Sequence, residues 1–246
     1  MIFSGVIGRD LTLAPTALSI AFAIIFSLSI YSQRNPNSEY WINFIYQPKK
    51  GMVEEFEKAV AEKTQKYNNS SENAIFAFQI MTGSSSGAYQ RWVVRKDVSY
   101  FEQDSSDELK YWNDNVDPYI EESTGWKVWR RLTNVSHNWT PETTFKYMLV
   151  QRRFIKPGKD QDVGNFLRRA KMVYEKHNYT GVSGVFRLIS GGNTNEYIIC
   201  DGFNSYGQGG EFPDTEKTLE ELYNEMFGWE SYRRDAGLYN DALESM

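Results

Sequence analysis

One pattern is written twice in this chain, 108 residues apart. Gly83 of Thr82-Gly83 stands six residues before Tyr89, and Gly191 of Ser190-Gly191 stands six residues before Tyr197. Each Gly pair closes an apolar run, residues 74–81 and 182–189, and each tyrosine opens another, residues 89–94 and 197–203. Upstream, Pro48-Lys49-Lys50-Gly51 and Lys156-Pro157-Gly158-Lys159 each separate a strand-like run from an amphipathic stretch. A repeat of this length is a whole fold unit, because solenoid modules recur every ~20 to 50 residues. The 246 residues are therefore expected to hold two similar units packed together.

In the first unit the alternation over 41–46 predicts a strand, and 48–51 a turn. Met52, Phe56, Ala59, Val60 and Tyr67 then recur at helical spacing with Glu54, Glu55, Lys58 and Glu62 off the stripe, which predicts an amphipathic helix. Strands over 74–81 and 89–95 follow, joined by a Gly/Ser hairpin loop at 83–87, and a helix over 107–115 leads through Pro118 to a strand over 126–132. The second unit repeats the series from 145–154 onward. Its first helix carries Val163, Phe166, Leu167, Ala170, Val173 and Tyr174, and its second covers 218–227. Phe56 and Phe166, central in their stripes, are expected in the core. After Trp229, charged and helix-compatible sequence runs to Met246 where a last strand would stand. The order β-α-β-β-α-β is the split βαβ, ferredoxin-like motif. Its two helices cover one face of its sheet and leave the other face to find a partner.

By this element order, and by the turns at 48–51 and 156–159, residues 38–230 resemble the dimeric α+β barrel superfamily in its fused form. The resemblance implies an α+β fold of two tandem ferredoxin-like repeats packed sheet to sheet. The repeats would span 38–133 and 145–246, the second with a helical C-terminal tail, with 134–144 as linker. The superfamily includes haem-degrading and cofactor-free monooxygenases, haem-dependent chlorite dismutases, small stress-response proteins and members without assigned activity. No catalytic signature of one branch is matched, so no family residue is carried over.

The first 33 residues differ in kind from the rest. No charge falls between Asp10 and Arg34, and the apolar run 18–31 gives way to Ser32 and Gln33, as in an export signal cut after Ser32. Arg9 and the α-amine set against Asp10 make a weak n-region, and Ile30 is large for its place before the cut. The uncharged stretch also has the length of a membrane span, so an N-terminal anchor is the rival reading, with a buried helix as the third. The protein is accordingly expected to be exported, periplasmic or secreted, or else anchored to the membrane by this segment alone. A net charge of −5 gives no long-range attraction for phosphate backbones and disfavours nucleic acid as a partner. Assembly into a homo-oligomer is compatible with the sequence. The single cysteine, Cys200, excludes an intramolecular disulfide framework and reads as a buried, inert thiol.

Strand parity supplies the candidate site. Alternate residues face opposite sides of a sheet, and the apolar Phe76, Phe78 and Ile80 are assigned to the helix-covered face, which leaves Ile75, Ala77 and Gln79 facing the other sheet. At the repeat distance Gln79 corresponds to Arg187, and Asn43 to Gln151; Arg91 interrupts the next strand opposite Trp92. Asn43, Gln79, Arg91, Gln151 and Arg187 are therefore expected to line a shared inter-sheet cavity and to hold a ligand there. The alternative is that they satisfy one another or lie at strand ends in water. His177 ends the stripe of the second unit's first helix and suits a helix C-terminus. Its minor alternative is haem ligation, and His137 is expected to be exposed in the linker. No motif implies a cofactor, and no nucleotide loop, hydrolase elbow or paired-His zinc spacing occurs.

The leading reading is an exported binding module that holds a small, largely apolar ligand between its sheets. The enzyme alternative is a monooxygenase-like or haem-dependent oxidoreductase, and the third is a protein-interaction module. If the N-terminal segment is an export signal, intact mass of the protein from its native host should correspond to a chain beginning at Gln33. A chain still beginning at Met1 would support the anchor.

Overall fold

In the computed structural model, described over residues 38–70, 72–206 and 209–244, the chain builds eight strands and five helices. The expected signal or anchor, 1–33, lies outside the described residues. The first half runs β1 (Tyr40–Pro48), α1 (Val53–Tyr67), β2 (Ile75–Gln79), β3 (Tyr89–Lys96), α2 (Ser106–Asn115), β4 (Ile120–Ser123) and β5 (Lys127–Arg131). The second runs β6 (Tyr147–Phe154), α3 (Asp160–Lys176), β7 (Val182–Ser190), β8 (Glu196–Phe203), α4 (Leu219–Phe227) and α5 (Ser231–Ala242). The repeated glycines have a backbone reason: Gly83 and Gly191 take φ values of 91° and 89°, which side-chain-bearing residues rarely adopt. The short strand β4 and two 3₁₀ turns flanking α2 add to the elements that the sequence pattern predicts.

The strands form one antiparallel sheet in the order β2-β3-β1-β5-β7-β8-β6, with β4 added beside β1. The halves join where β5 pairs with β7, Trp129 opposite Leu188 and Arg131 opposite Phe186. The sheet curls, because residues from both of its ends meet: Phe78 of β2 stacks on Phe145, just before β6, with centroids 6.2 Å apart. No strand among the described residues joins β2 to β6, and α5 succeeds α4 in place of a further strand. The chain after α5 meets the end of β6 at the isolated bridge Ile155 to Leu243, where Glu244 N–H donates to the Phe154 carbonyl at 2.8 Å.

Both faces of the curled sheet are covered. On the concave side Trp41, Trp92, Trp129, Phe186, Leu188 and Ile198 form one apolar cluster. On the convex side α1 and α2 bring Phe56 and Trp112 onto Tyr46, and α3 brings Val163 onto Val185 and Tyr197. Phe56 is 1% exposed, whereas Phe166 is half-buried among Tyr223, Tyr232 and Tyr239. The expectation of core burial is thus met at Phe56 and corrected at Phe166, whose ring packs against tyrosines of α4 and α5 and stays half-buried. Phe56→Ala should cost about 3–5 kcal/mol in equilibrium denaturation and Phe166→Ala about half as much. Equal losses would contradict this packing.

Helix α4 starts with a capping box in which Thr218 and Glu221 satisfy each other's backbone N–H groups. Helix α5 is tied down by Asp235, which accepts hydrogen bonds from Arg169 of α3 at 2.5 Å, Tyr223 of α4 at 2.8 Å and Arg234 at 3.0 Å. Burial pushes this carboxyl upward, and the bonds from Tyr223, Arg234 and Arg169 outweigh it, leaving its pKa below the usual aspartate value. A group depressed in the folded state stabilises above its unfolded pKa, about 3.9 for Asp, and loses that contribution as pH falls through the folded value. Asp235→Ala should therefore destabilise by about 1.5–3 kcal/mol at pH 7 and by less as acid approaches pH 3. A pH-independent difference in thermal unfolding would refute this assignment.

Candidate functional site

The concave side holds a cavity of about 320 Å³ at the open side of the sheet. Its walls are aromatic: Trp41 of β1, Phe76 and Phe78 of β2, Trp92 of β3 and Phe186 of β7, with Met148 of β6 and Cys200 of β8. The rings brace one another edge to face. Trp41 lies 6.2 Å from Trp92 at 70° and 5.1 Å from Phe186 at 64°, arrangements that match the positive ring edge to the negative ring face. Burial pushes the Cys200 thiol pKa far up, so it lines the cavity as a neutral, unreactive group.

Residues 139–145, all but the last within the expected linker 134–144, close over this cavity. Trp139 packs 5.8 Å from Trp41 and 5.3 Å from Phe145, and Thr140, Thr143 and Thr144 supply the polar part of the lining. The strap is held by its own hydrogen bonds, Thr140 N–H to Thr143 Oγ1 at 3.0 Å and Thr143 Oγ1–H to the Asn138 carbonyl at 2.6 Å. Arg131 donates to the Trp139 carbonyl at 3.2 Å, and Arg95 to that of Thr140 at 2.9 Å.

Arg95 reaches the cavity through a local irregularity. Ile42 pairs with Val93 but Tyr40 pairs with Lys96, so β3 carries one residue more than β1 across this step. Arg95 sits in that bulge at φ 55°, in the left-handed region. A bulge re-aims side chains. Here Trp92, Val94 and Arg95 all serve the concave side, although strict alternation would send Arg95 with Arg91 and Val93.

The five residues singled out by parity are not brought together. Asn43 does face the concave side, but its Oδ1 accepts from Trp129 Nε1 at 2.8 Å within the core, away from the cavity lining. Gln79 is exposed and lies opposite Tyr89, whose ring packs on Phe56 at the helix side. Arg91 is 4% exposed on that same side, its guanidinium 4.6 Å from the centre of the Trp112 ring, and its Nε and Nη2 find no hydrogen-bond partner among the described residues. Burial lowers the Arg91 pKa against the pull of Tyr46 and Glu108, while burial pushes Tyr46 up to about 12 despite the neighbouring Arg91 charge. Gln151 donates to Asp201 at 3.0 Å and accepts from Arg153 at 2.6 Å. Arg187 pairs with Asp160 at the start of α3, 3.2 Å away.

The inter-sheet placement is therefore corrected for Gln79, Arg91, Gln151 and Arg187. Polarity assigns Phe76 and Phe78 to the helices, yet they line the concave cavity. With apolar cover on both faces, polarity does not say which face is inside.

The histidines lie elsewhere too. His177 caps the C-terminus of α3, edge-on to Phe212 at 6.5 Å, and is not among the cavity-lining residues, so the lining does not fit a haem held by His177. His137, expected to be exposed, is buried with Nε2 2.8 Å from the Tyr179 carbonyl. Its backbone pairs with Ser183, which draws the segment after β5 into the sheet side. No helix of the described residues is long and apolar enough to cross a membrane.

No protein-family profile matches the chain, and no curated protein sequence matches it significantly. Solved structures do. A "putative monooxygenase" of Lactobacillus acidophilus superposes with a TM-score of 0.52 at 11% identity, covering 85% of this chain and 90% of that one. A protein of the same description from Fusobacterium nucleatum gives a TM-score of 0.51 at 10% identity, covering 85% and 88%. At such identities the likeness is one of fold alone, an α+β architecture that this chain shares with those two structures.

Proposed function

We propose that this protein is a binding module that takes a small, largely apolar, ring-bearing ligand into the concave cavity, beneath the strap at 139–145. The observation that carries this reading is the enclosure itself: aromatic rings from four strands and the strap wall a space of about 320 Å³. Ligand sites are typically concave, mostly apolar and ~300–1,000 Å³ in size, with a few polar groups to orient the ligand. The fold reading that accompanies it is two fused ferredoxin-like repeats. The order β5-β1-β3-β2 in one half and β7-β8-β6 in the other supports it, as do the matching left-handed glycines. Export, or anchoring by the N-terminal segment, is proposed from residues 1–33 alone.

Binding is favoured over acid–base catalysis by the lining. Proton transfer needs a group of suitable pKa within hydrogen-bond reach of the ligand. Among the described lining residues the titratable groups are the Arg95 cation and the Cys200 thiol, neither of which is a base near neutral pH. A second reading, oxygenation of the bound ligand, takes its support from the names of the two proteins of like fold. A shared fold does not carry a reaction with it.

Isothermal titration of the full chain with 2-naphthalenemethanol, a neutral two-ring probe, tests the cavity. We expect saturable binding by the wild type and a loss of about tenfold or more in Met148→Trp, whose larger ring occupies the space. Arg187→Leu serves as the control: it removes a half-exposed ion pair from the other face, so binding should persist with at most about 1 kcal/mol of lost stability. Unchanged binding in Met148→Trp would place the ligand elsewhere. Dioxygen consumption dependent on the probe would establish the oxygenase reading.

A further inference from the structure

We infer that the cavity is built for an apolar monocarboxylate, with Arg95 as the residue that receives the acid group. The inference rests on the cavity being a ligand site and adds the chemical class of the ligand. Arg95 is the single charged side chain among the described residues lining an otherwise aromatic and hydroxyl-bearing enclosure. It is half-buried, while Trp92, Phe186 and Cys200 are almost fully buried, so the charge stands at the rim and the rings form the depth. Its guanidinium has its centre 6.0 Å from that of the Trp41 ring and donates one hydrogen bond, from Nη2 to the Thr140 carbonyl. No carboxylate among the described residues lies within ion-pair distance of it, in contrast to Arg131, Arg152, Arg169 and Arg187. Glu142 of the strap is close enough to feel its charge but makes no ion pair with it.

The backbone makes the placement specific. In regular alternation Arg95 would leave the concave side, and the bulge with φ 55° brings it back. A non-glycine residue in the left-handed region costs free energy that the rest of the structure must offset, and such outliers cluster at functional sites. An Arg whose role was solubility would need no such conformation. The planar guanidinium fork offers parallel N–H donors to a carboxylate, and in a partly apolar rim a charge-assisted bond of this kind is stronger than one in open water. The bond to Thr140 leaves four of its five N–H groups for a ligand and fixes the side chain against the strap. An acid whose ring system fills the aromatic depth and whose carboxylate ends at the rim meets both features at once.

The test compares 2-naphthoate with 2-naphthalenemethanol, of closely matched size, by calorimetric titration of the full chain. The wild type should bind the carboxylate about tenfold or more tightly than the alcohol. That preference should disappear in Arg95→Asn, chosen because asparagine tolerates positive φ and so preserves the bulge. The quantity read is the ratio of carboxylate to alcohol affinity within each protein, so any loosening of the strap through the lost bond to Thr140 affects both probes and cancels. Equal wild-type affinity for the two probes, or a preference that survives in Arg95→Asn, would overturn the inference while leaving the cavity reading intact. Failure of both probes to bind the wild type would instead remove the cavity reading, and this inference with it. If Arg95→Asn does not fold, the wild-type comparison decides alone, supported by Arg95→Lys, in which the loss of the planar fork should reduce the preference without abolishing it.

Discussion

The pairing of β5 with β7 is the contact on which the other features depend. It carries four residue pairs and joins the two halves into one continuous sheet, with Trp129 directly opposite Leu188. Continuity forces the natural twist of the strands to accumulate across seven neighbours, and the sheet curls until Phe78 and Phe145 stack across its ends. That curl creates a concave side. Without it Trp41, Trp92 and Phe186 would present a flat aromatic surface to water; with it they face one another and form walls.

The second determinant is the path of the chain beyond α4. A strand there would stand between β2 and β6, and the chain instead turns at Gly228 and Glu230, both at positive φ, into α5. Helix α5 packs against α3 and α4, with Asp235 bonded to all three. The concave side thus keeps an opening at the β2 and β6 edges, where the half-exposed Phe76 lies. The segment 139–145 lies over it. Backbone bonds between His137 and Ser183 bring that segment to the sheet, and the Asn138 amide, donating to the Tyr179 and Gly181 carbonyls, sets the direction in which it leaves.

Charge is arranged around these two features with a consistent logic. Polar and charged side chains on the helix side of the sheet are mostly matched there: Arg187 with Asp160, Gln151 with Asp201, and the buried Lys63 with Glu108. Arg91 is the exception, since two of its donors have no partner among the described residues and it rests on the Trp112 face instead. The concave side carries apolar rings, an amide bonded to an indole, and charges that are matched, the buried Glu196 with Lys127 and Arg152, and Arg131 with Glu39; Arg95 at the rim is left without a carboxylate partner among the described residues. An unmatched charge is cheapest where water still reaches it, and the rim of the cavity is such a place.

Much of the fold was legible in the sequence, and the site was not, for a reason rooted in packing. The stripe around Phe56, the glycine-marked turns and hairpins, the element order and the helical run after Trp229 are local properties, set by side-chain periodicity and by which residues tolerate positive φ. Burial of Phe56, the hairpin glycines at Gly83 and Gly191, and the absence of a last strand among the described residues are direct consequences of them. Strand parity divided the strands into two sets, correctly except at the Arg95 bulge, but could not orient them, because the helices and the opposite half of the sheet both offer apolar cover. Phe76 and Phe78 therefore face the cavity, and Gln79 faces away from it. Two further decisions belong to the tertiary structure alone. The bulge that returns Arg95 to the concave side exists because β1 and β3 pair out of step by one residue. The strap becomes a cover because its residues contact rings that lie far from it in the chain. Periodicity records how a residue sits relative to its neighbours in sequence, and a cavity is made by residues that are neighbours only in space.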